Sequence, residues 1–389
     1  MSNYYKVVSL FSGTGGSSLG YKLAGMNVVL SNEFIPAACD SYKANFPNTI
    51  LIEGDIRQIT AKDILDKTGL KVGELDVLDG SPPCQAFSMM GKREAKWGQV
   101  SKYSDTEQRT DDLFFEFTRI LNGLQPKVFV AENVAGLVMG NAKKVFSEVY
   151  RTLESCGYNV SARILNAKYL GVAQNRPRLI FIGVRKDLHV LPSHPGPQYA
   201  PIPIKDVLKG VINTSEQIEE AKYPEHYSVM HLIRQMKPGE SGSKYHPNGS
   251  YYGLRRLHWD YPASTILQGD AKHISCSALH PDEDRKLTIP ELKRVGSFPD
   301  NFVLTGTFEQ QWERIGRAVP PLMMKAIAEH VRYNILNPIN GIHIPYEPSV
   351  YDITLETTGQ TSLFDEDGQD DFKEFFPEEI TEEQTDLFS

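Results

Sequence analysis

One segment near residue 80 limits what this chain can fold into more than any other stretch. Residues 75–79 form a short apolar run that ends at Gly80, a pattern typical of a buried parallel strand. A serine and two prolines then lead to Cys84. Because open α/β sheets bind ligands at the carboxyl ends of their strands, this position favours a reactive thiol. The alternative is a buried structural cysteine, which is common in intracellular proteins.

Strand patterns alternate with helical ones along the first half of the chain. Strands are predicted over residues 6–11, 27–31, 49–52, 75–79, 127–131 and 179–184, and helices over 35–45 and 111–122. This alternation predicts an α/β fold, a mostly parallel sheet with helices on both faces. Further along, the sequence predicts a proline-rich linker at 194–203, a smaller irregular domain to about 252, regular patterns over 255–269 and 288–298, and a helix over 320–334.

Glycines follow the first predicted strand at the turn into a helix. Gly13, Gly15 and Gly16 would let the backbone approach a ligand closely and aim a helix N-terminus at it. Glu33 follows the second strand at a distance that suits a ribose hydroxyl pair, and Asp55 follows the third. The sequence therefore predicts a nucleotide-type cofactor site at this edge of the sheet.

Charge is divided unevenly between the body of the chain and its end. The net charge is −8, but from Asp352 onward there are 13 acidic residues and one base, Lys373. The remaining residues carry 36 acidic and 40 basic side chains, a surplus that permits a polyanionic partner without demonstrating one. The acidic end predicts disorder beyond Tyr351.

Composition sets the remaining expectations. A hydrophobic content of 40% is ample for a core, and there is neither an apolar run of membrane length nor a signal-peptide pattern. The four cysteines are far apart and form no CxxC pair, so no metal site or disulfide framework is expected. The sequence predicts a soluble, cytoplasmic protein.

Four residues beside the predicted strand ends carry candidate catalytic chemistry: Cys84, Glu132, Arg176 and Arg178. A thiolate nucleophile, an acid and two guanidiniums suit attack on an electron-poor ring whose nitrogen and carbonyl need stabilising. The alternatives are a solvated loop acid and arginines that form only surface salt bridges.

Together, these residues resemble the DNA (cytosine-5)-methyltransferase family. The family's motifs occur in order between residues 5 and 335: Phe11-x-Gly13-x-Gly15-Gly16, Asn32-Glu33, Gly54-Asp55-Ile56, Pro83-Cys84-Gln85, Glu132-Asn133-Val134, Gln174-x-Arg176-x-Arg178, Arg256 with Pro262-x-x-Thr265-Ile266, Glu291 through Phe298-Pro299, and Gly316-x-Ala318-Val319-Pro320-Pro321. The resemblance implies a Rossmann-like class I methyltransferase sheet and a smaller, irregular target recognition domain. One position departs from the family, because Arg317 stands where asparagine is usual.

The resemblance implies methyl transfer from S-adenosylmethionine to carbon 5 of a cytosine flipped out of double-stranded DNA, with S-adenosylhomocysteine as the product. Cys84 would add to ring carbon 6. Glu132, protonated or hydrogen-bonding through partial burial, would stabilise nitrogen 3. Arg178, in one motif with Arg176, would hold the carbonyl oxygen. Carbon 5 would then accept the methyl group and lose its proton.

The same resemblance implies the residues of the cofactor site. Phe11 would pack on the adenine, Glu33 would hold the ribose hydroxyls, and Asp55 would hold the adenine amino group. The other residues implied in this pocket are Ser12, Gly13, Thr14, Gly15, Gly16, Phe34, Ile56, Pro83, Leu113, Ala318 and Val319.

DNA contacts are expected from five residues: Gln85, Ser88, Lys92, Arg93 and Arg256. The two bases at 92 and 93 lie in a loop over residues 91–110 that closes over the flipped base in this family. The implied domains are a catalytic domain at 1–190 completed by 310–338, a target recognition domain with its return at 191–300, and an acidic tail at 340–389. A monomer is expected.

The tail contains a repeat, Gln360-Thr361-Ser362-Leu363-Phe364 and Gln384-Thr385-Asp386-Leu387-Phe388. Both copies resemble the pentapeptide by which bacterial replication proteins bind the sliding clamp, although threonine replaces the usual second-position leucine. Apolar pairs in an acidic, disordered segment suit a short docking motif. The alternative is a solubilising tail with a chance similarity.

The leading hypothesis is a DNA cytosine C5 methyltransferase of a bacterial restriction-modification, defence or orphan system. An RNA (tRNA) cytosine C5 methyltransferase is the alternative within the same chemistry. A catalytically silent DNA-binding accessory subunit is the alternative from another class, and Arg317 is its only indication. An NAD-binding oxidoreductase would leave Cys84, Glu132 and Arg178 without a role and ranks last.

Overall fold

A seven-stranded sheet forms the centre of the molecule. The computed structural model describes residues 5–82, 101–103, 106–108, 113–138 and 142–343. The sheet strands are β1 (Lys6–Leu10), β2 (Asn27–Glu33), β3 (Ile50–Glu53), β4 (Val77–Gly80), β7 (Val128–Val134), β8 (Tyr158–Asn166) and β9 (Pro177–Arg185), in the spatial order β3-β2-β1-β4-β7-β9-β8. A separate antiparallel pair consists of β5 (Ser101–Tyr103) and β6 (Thr106–Gln108).

The sheet is mostly parallel, as predicted, except at one end. β1 pairs in parallel with β2 and β4, β2 with β3, and β4 with β7. β9 is antiparallel to both β7 and β8, and β8 was not predicted. Only about ten residues join β8 to β9, which permits an antiparallel return but is too short for a parallel crossover. The returning strand β9 therefore inserts between β7 and β8.

Twelve α-helices occur in the described part of the chain: α1 (Gly16–Leu23), α2 (Pro36–Asn45), α3 (Ala61–Thr68), α4 (Leu113–Leu124), α5 (Lys143–Ser155), α6 (Ile204–Leu208), α7 (Ser215–Ala221), α8 (Met230–Ile233), α9 (Ile289–Val295), α10 (Phe308–Arg317), α11 (Pro321–His330) and α12 (Asn337–Ile339). A π-helix at Val331–Leu336 joins the last two. Short 3₁₀ turns are Ile56–Gln58, Ala135–Val138, Ala167–Tyr169, Lys186–Leu188 and Gly242–Lys244. The helices predicted over 35–45, 111–122 and 320–334 correspond to α2, α4 and α11 with the π-helix.

Hydrophobic clusters cover both faces of the sheet, as predicted. One is built on α3, α4 and α5 and includes Ile64, Phe117 and Phe146. The other is built on α1, α11 and the π-helix and includes Tyr21 and Met324. The two helices α1 and α11 pack closely because residue 20 is glycine. A Cβ there would lie 2.5 Å from the Cβ of Met324.

A third cluster lies mostly within residues 204–315, where it contains Leu254, Ile266 and Trp312, and it also includes Tyr42 and Phe46 of the α2 region. Its chain has short helices and isolated bridges, in agreement with an irregular region. The regular pattern expected over 255–269 is wrong, because this stretch forms only bridges such as Arg256 with Leu279. Within the described ranges, no helix is long and apolar enough to cross a membrane. The acidic tail lies outside them, and the domain boundaries stay a prediction.

Candidate active site

A cavity of about 860 Å³ opens at the carboxyl ends of the parallel strands. The β1–α1 turn, the ends of β2, β4 and β7, and the segment 314–319 form its walls. Of the predicted site residues, its lining contains Phe11, Ser12, Gly13, Thr14, Gly16, Glu33, Phe34, Asp55, Ile56, Leu113, Glu132, Arg176, Arg178, Ala318 and Val319. Residues that the sequence placed far apart thus share one cavity.

The turn after β1 is shaped to admit a ligand. Gly13 and Gly15 have left-handed backbone angles (φ 55° and 99°), a region that glycine occupies without steric cost. Gly16 begins α1, and a Cβ there would lie 2.3 Å from the Val319 carbonyl oxygen. The hydroxyl of Thr14 is buried without a hydrogen-bond partner among the described residues. A buried donor with no partner in a glycine turn fits a polar ligand.

Two acidic residues lie at the β2 and β3 side of this turn. Oε2 of Glu33 accepts the Gly13 N–H at 2.7 Å, and Oε1 accepts those of Phe34 and Ile35 at 2.9 and 2.8 Å. Asp55 caps the 3₁₀ turn at 56–58 and pairs with Arg57 at 3.0 Å. The carboxylate of Glu33 is therefore held rigidly beside the glycine turn.

Asn32 fixes the relative position of these two strand ends, and sequence reasoning gave it no role. Its side-chain amide donates to the carbonyls of Ile52 and Gly54, each at 2.9 Å. The sequence signal that could have indicated this role is a polar residue at the end of an apolar strand, and the structure shows that this position is buried.

Glu132 and Arg178 form an ion pair inside the cavity. Nε of Arg178 lies 2.8 Å from Oε1 of Glu132, and the side chains are 12% and 11% exposed. Arg178 also donates to the Pro177 carbonyl oxygen at 2.8 Å. Burial lowers the pKa of the Arg178 guanidinium, and the carboxylate beside it acts in the opposite direction. A carboxyl group and a guanidinium thus lie side by side in a largely desolvated position.

Arg176 connects three parts of the site through its buried guanidinium. It donates to the carbonyl oxygens of Ile266 at 3.2 Å, Gly316 at 2.8 Å and Ala318 at 3.1 Å. Burial lowers its pKa well below the ordinary value. These contacts make Arg176 a positioning residue for the wall at 316–318, and its predicted contact with the substrate ring stays a prediction.

Comparison with known proteins identifies the family. The sequence model of the C-5 cytosine-specific DNA methylase family matches residues 5–332. The chain belongs to this family. It is similar to the Type II methyltransferase M1.HphI of Haemophilus parahaemolyticus, with 34% identity over 83% of this chain and 86% of that protein. It is also similar to the Type II methyltransferase M.Eco47II of Escherichia coli, with 33% identity over 87% of this chain and 81% of that protein.

Solved structures agree with the fold of the C5 methylases. A structure described as a DNA modification methyltransferase encoded within an E. coli prophage superposes with a TM-score of 0.66 and 23% identity, covering 86% of this chain and 99% of that one. Spodoptera frugiperda DNMT2 superposes with a TM-score of 0.58 and 17% identity, covering 82% and 97%. The Rossmann-like class I architecture is therefore confirmed.

The C5-methylase motif around Cys84 begins at the cavity and continues beyond the described residues. Ser81 and Pro82 line the cavity. Pro83, Cys84, Gln85, Ser88, Lys92 and Arg93 lie outside the described ranges, so their predicted roles stay predictions. Gly15 shapes the turn but is not among the residues that line the cavity.

The predicted DNA contact of Arg256 is wrong. Its buried guanidinium donates to the carbonyl oxygens of His280, Glu283 and Ile233 at 2.8–3.0 Å and pairs with Asp284 at 2.6 Å. The side chain is only 3% exposed. Arg256 therefore stabilises the fold of this C5 methylase, since both of its Nη atoms bond to groups inside the fold and its Nε is buried.

Asp79 is a buried acid directly below the site. The Ser9 hydroxyl donates to it at 2.7 Å and the Tyr21 hydroxyl at 3.3 Å. Burial raises the pKa of this carboxyl to about 7. Sequence reasoning gave it no role, although a carboxylate inside an apolar strand is itself a signal.

A loop of the irregular region also reaches the cavity. Tyr251, Tyr252 and Gly253 are part of its lining. Tyr251 has a left-handed backbone (φ 65°), and its ring lies 5.2 Å from that of His246. No periodic pattern in this stretch of the sequence would have predicted these residues at the site. Among the described residues, no cluster of His, Cys, Asp and Glu could hold a metal ion.

Proposed function

We propose that this C5 methylase transfers a methyl group from S-adenosylmethionine to carbon 5 of a flipped cytosine in duplex DNA, in a bacterial Type II modification system. The observation that carries this proposal is the Glu132–Arg178 pair, which lies in the same cavity as the glycine turn. A carboxyl and a guanidinium side by side would suit a ring nitrogen and its neighbouring carbonyl oxygen, which both need partners.

The residues of the cavity fit S-adenosylmethionine. When bound, it supplies an electrophilic methyl group. The carboxylate oxygens of Glu33 accept backbone N–H groups and would use their remaining lone pairs to hold the ribose hydroxyls. Asp55 would hold the adenine amino group. The Thr14 hydroxyl, which has no hydrogen-bond partner among the described residues, and the glycine turn would contact the remainder of the cofactor. Phe11, Phe34, Ile56 and Leu113 supply the apolar lining.

Three side chains of this protein, those of Cys84, Glu132 and Arg178, would carry out the reaction. The Cys84 thiolate adds to ring carbon 6, so that electrons accumulate on carbon 5 and the ring carbonyl. Glu132 hydrogen-bonds to nitrogen 3 and Arg178 to the carbonyl oxygen, which stabilises that charge. Once carbon 5 carries the methyl group, a water molecule would take its proton, the bond between the Cys84 sulfur and carbon 6 would break, and the aromatic ring would be restored. In the sequence, Cys84 follows Pro82, a residue that lines the cavity, by two positions.

Duplex DNA is the favoured substrate over tRNA. The two relatives described above, at 34% and 33% identity, are named Type II methyltransferases, a class that modifies DNA in restriction-modification systems. An accessory subunit without turnover is the second alternative, and its only support is Arg317 in place of asparagine. Gln85, Ser88, Lys92 and Arg93 stay proposed DNA contacts, and a cytoplasmic monomer stays the expected form.

The experiment is transfer of labelled methyl groups to duplex DNA and to unmethylated tRNA, with Cys84→Ser as the control and bisulfite sequencing of the product. Cys84-dependent label at cytosines of one DNA motif is expected. Label on tRNA alone would move the substrate to RNA. No label anywhere, with cofactor binding intact, would support the accessory subunit.

The tail repeat supports a separate proposal, that residues 360–364 and 384–388 dock on the bacterial sliding clamp. Deletion of 360–389 should abolish co-purification with the clamp while methyl transfer to DNA continues. Unchanged clamp binding would reject the proposal.

A further inference from the structure

A second, smaller cavity shares no lining residue with the candidate active site. It is an open groove of about 410 Å³ between α1, the start of α11 and the segments around α6 and α9. Its apolar lining consists of Leu19, Leu23, Val207, Phe298, Pro299 and Leu322. Leu23 is 48% exposed, so the groove presents apolar surface to solvent.

The walls of this groove are tied to one another. The Ser297 hydroxyl accepts the N–H of Leu322 at 3.1 Å, which joins the end of α9 to the start of α11. Arg294 donates to the Val207 carbonyl oxygen at 3.3 Å, which joins α9 to α6. Leu19 packs against the cluster of the irregular region and Leu322 against a cluster of the sheet. The groove is thus preformed, and a ligand would not have to order its walls.

Basic side chains outnumber acidic ones around this groove. Among the residues within three sequence positions of its lining, six are basic and three are acidic: Lys22, Lys205, Lys209, Lys293, Arg294 and Lys325 against Asp206, Glu291 and Asp300. The balance stays positive when Asp260 and Glu329 are added, which pair with Lys205 and Lys325. Lys22 and Lys209 are both exposed. The groove therefore favours an apolar partner that also carries negative charge.

The end of the chain has the matching composition. Residues 344–389 lie outside the described ranges, and from Asp352 onward they carry 13 acidic side chains and one basic one. Two Leu-Phe pairs, at 363–364 and 387–388, repeat within this acidic sequence. Acidic residues lie next to or near both pairs, at positions 365, 366 and 386. The tail therefore combines the apolar and acidic groups that the groove would accept.

The described chain ends close enough to the groove for these pairs to reach it. The Asn340 amide donates to the Tyr5 hydroxyl at 3.4 Å, and the Tyr5 carbonyl oxygen accepts the Asn27 N–H at 2.8 Å. Asn27 is four residues after Leu23, which lines the groove. Twenty residues separate the last described residue from Leu363, and a chain of that length can extend over roughly 65 Å. Attachment to the same chain also gives the pairs an effective concentration on the order of millimolar at the groove.

We propose that the groove binds a Leu-Phe pair of the protein's own acidic tail. The pair would bury its two apolar side chains against Leu19, Leu23 and Leu322, and its acidic neighbours would face Lys22 and Lys209. Because the pair is repeated, one copy can occupy the groove while the other stays available to a partner. The inference stands apart from the proposed methyl transfer, because the groove contains no residue of the candidate active site.

Photo-crosslinking on the full chain tests this assignment. Phe364 or Phe388 is replaced by the aromatic crosslinker p-benzoylphenylalanine, and the crosslinked peptides are identified by mass spectrometry. Crosslinks to residues 19–23, 297–299 or 322 are expected. Leu23→Glu, which places a negative charge in the groove, should lower their yield about fivefold or more. Leu191→Glu is the matched control, because Leu191 is also an exposed leucine but does not line the groove, and it should leave the yield within about twofold.

A mixture of chains labelled with light and heavy nitrogen separates the possible occupants of the groove. Groove crosslinks that stay within one isotope class, and that Leu23→Glu lowers, support the proposal. Crosslinks that join a light chain to a heavy one would assign the groove to the tail of a second copy and would overturn it. Crosslinks only at other surfaces, or equal groove yields with Leu23 and with Leu23→Glu, would also overturn it.

Discussion

Arg178 and Glu132 lie on adjoining antiparallel strands, β9 and β7, and their side chains meet at 2.8 Å inside the cavity. The pairing register brings Arg178 opposite Val134 and Glu132 opposite Ile180. The two groups are therefore oriented by the sheet itself, which makes them a preorganised unit rather than two mobile loop residues.

Because they form one unit, their substitutions should not act independently. Glu132→Gln and Arg178→Gln should each lower kcat by about 100-fold or more, since each removes a group that meets charge in the transition state. The double variant should lose much less than the product of the two single losses. The measurement is single-turnover methyl transfer at saturating cofactor. Fully multiplicative losses would show that the two side chains act separately.

The buried carboxyl of Asp79 should make stability depend on pH. Its folded-state pKa is raised to about 7 from an ordinary 3.8, mainly by burial. The stability that the protonated group contributes is complete below pH 3.8 and is lost as pH rises through about 7. Asp79→Asn cannot ionise, so its free energy of unfolding relative to the unaltered protein should rise by about 2–3 kcal/mol between pH 5 and 8.

Urea denaturation at several pH values would measure this difference. Ser9→Ala is the companion variant, because the Ser9 hydroxyl bond lowers the pKa of Asp79 and its loss should steepen the pH dependence. A constant difference between Asp79→Asn and the unaltered protein from pH 5 to 8 would contradict the prediction.

Gly16 should tolerate no side chain. An added methyl group would lie 2.3 Å from the Val319 carbonyl oxygen, so either the turn or the wall at 318–319 must move. Gly16→Ala should destabilise the protein by roughly 1–3 kcal/mol and weaken S-adenosylhomocysteine binding. Gly136→Ala is the control, because a Cβ there meets no atom within 4 Å among the described residues. Equal effects of the two variants on S-adenosylhomocysteine binding would show that the close approach of Gly16 to Val319 does not matter for binding.

Arg256→Ala should reduce stability rather than DNA affinity. The substitution removes the hydrogen bonds from Arg256 to three carbonyl oxygens. The Glu283 and Ile233 oxygens keep backbone donors, so the expected cost is roughly 1–3 kcal/mol in the free energy of unfolding. Arg255→Ala, at the exposed neighbouring position, should change stability by less than about 0.5 kcal/mol. For the folded Arg256 variant, the slope of log K for DNA against log salt should be unchanged. A slope lower by about 0.9 would instead indicate a phosphate contact.

The positions of the strand ends could be predicted from the sequence, but the hydrogen-bond partners of the arginine side chains could not. The apolar runs before Gly13, Glu33 and Glu132 each predicted a strand, and parallel pairing then placed these residues at one edge. Strand direction was not readable at β9, because an apolar run has the same pattern in either orientation. The roles of Arg256 and Arg176 could not be read from their positions in the motifs. Both side chains bind backbone carbonyls, and these contacts form only through tertiary packing.

The close packing of α1 against α11 sets the order in which the protein can become active during synthesis. The residues that cover α1 and close the cavity, 316–331, are made more than 290 residues after β1 and α1. Until these residues leave the ribosome, the glycine turn lacks one wall and the apolar face of α1 lacks its cover. Methylation should begin only after residues 316–331 are made, so translation products that end before them would carry the catalytic motifs without a working site.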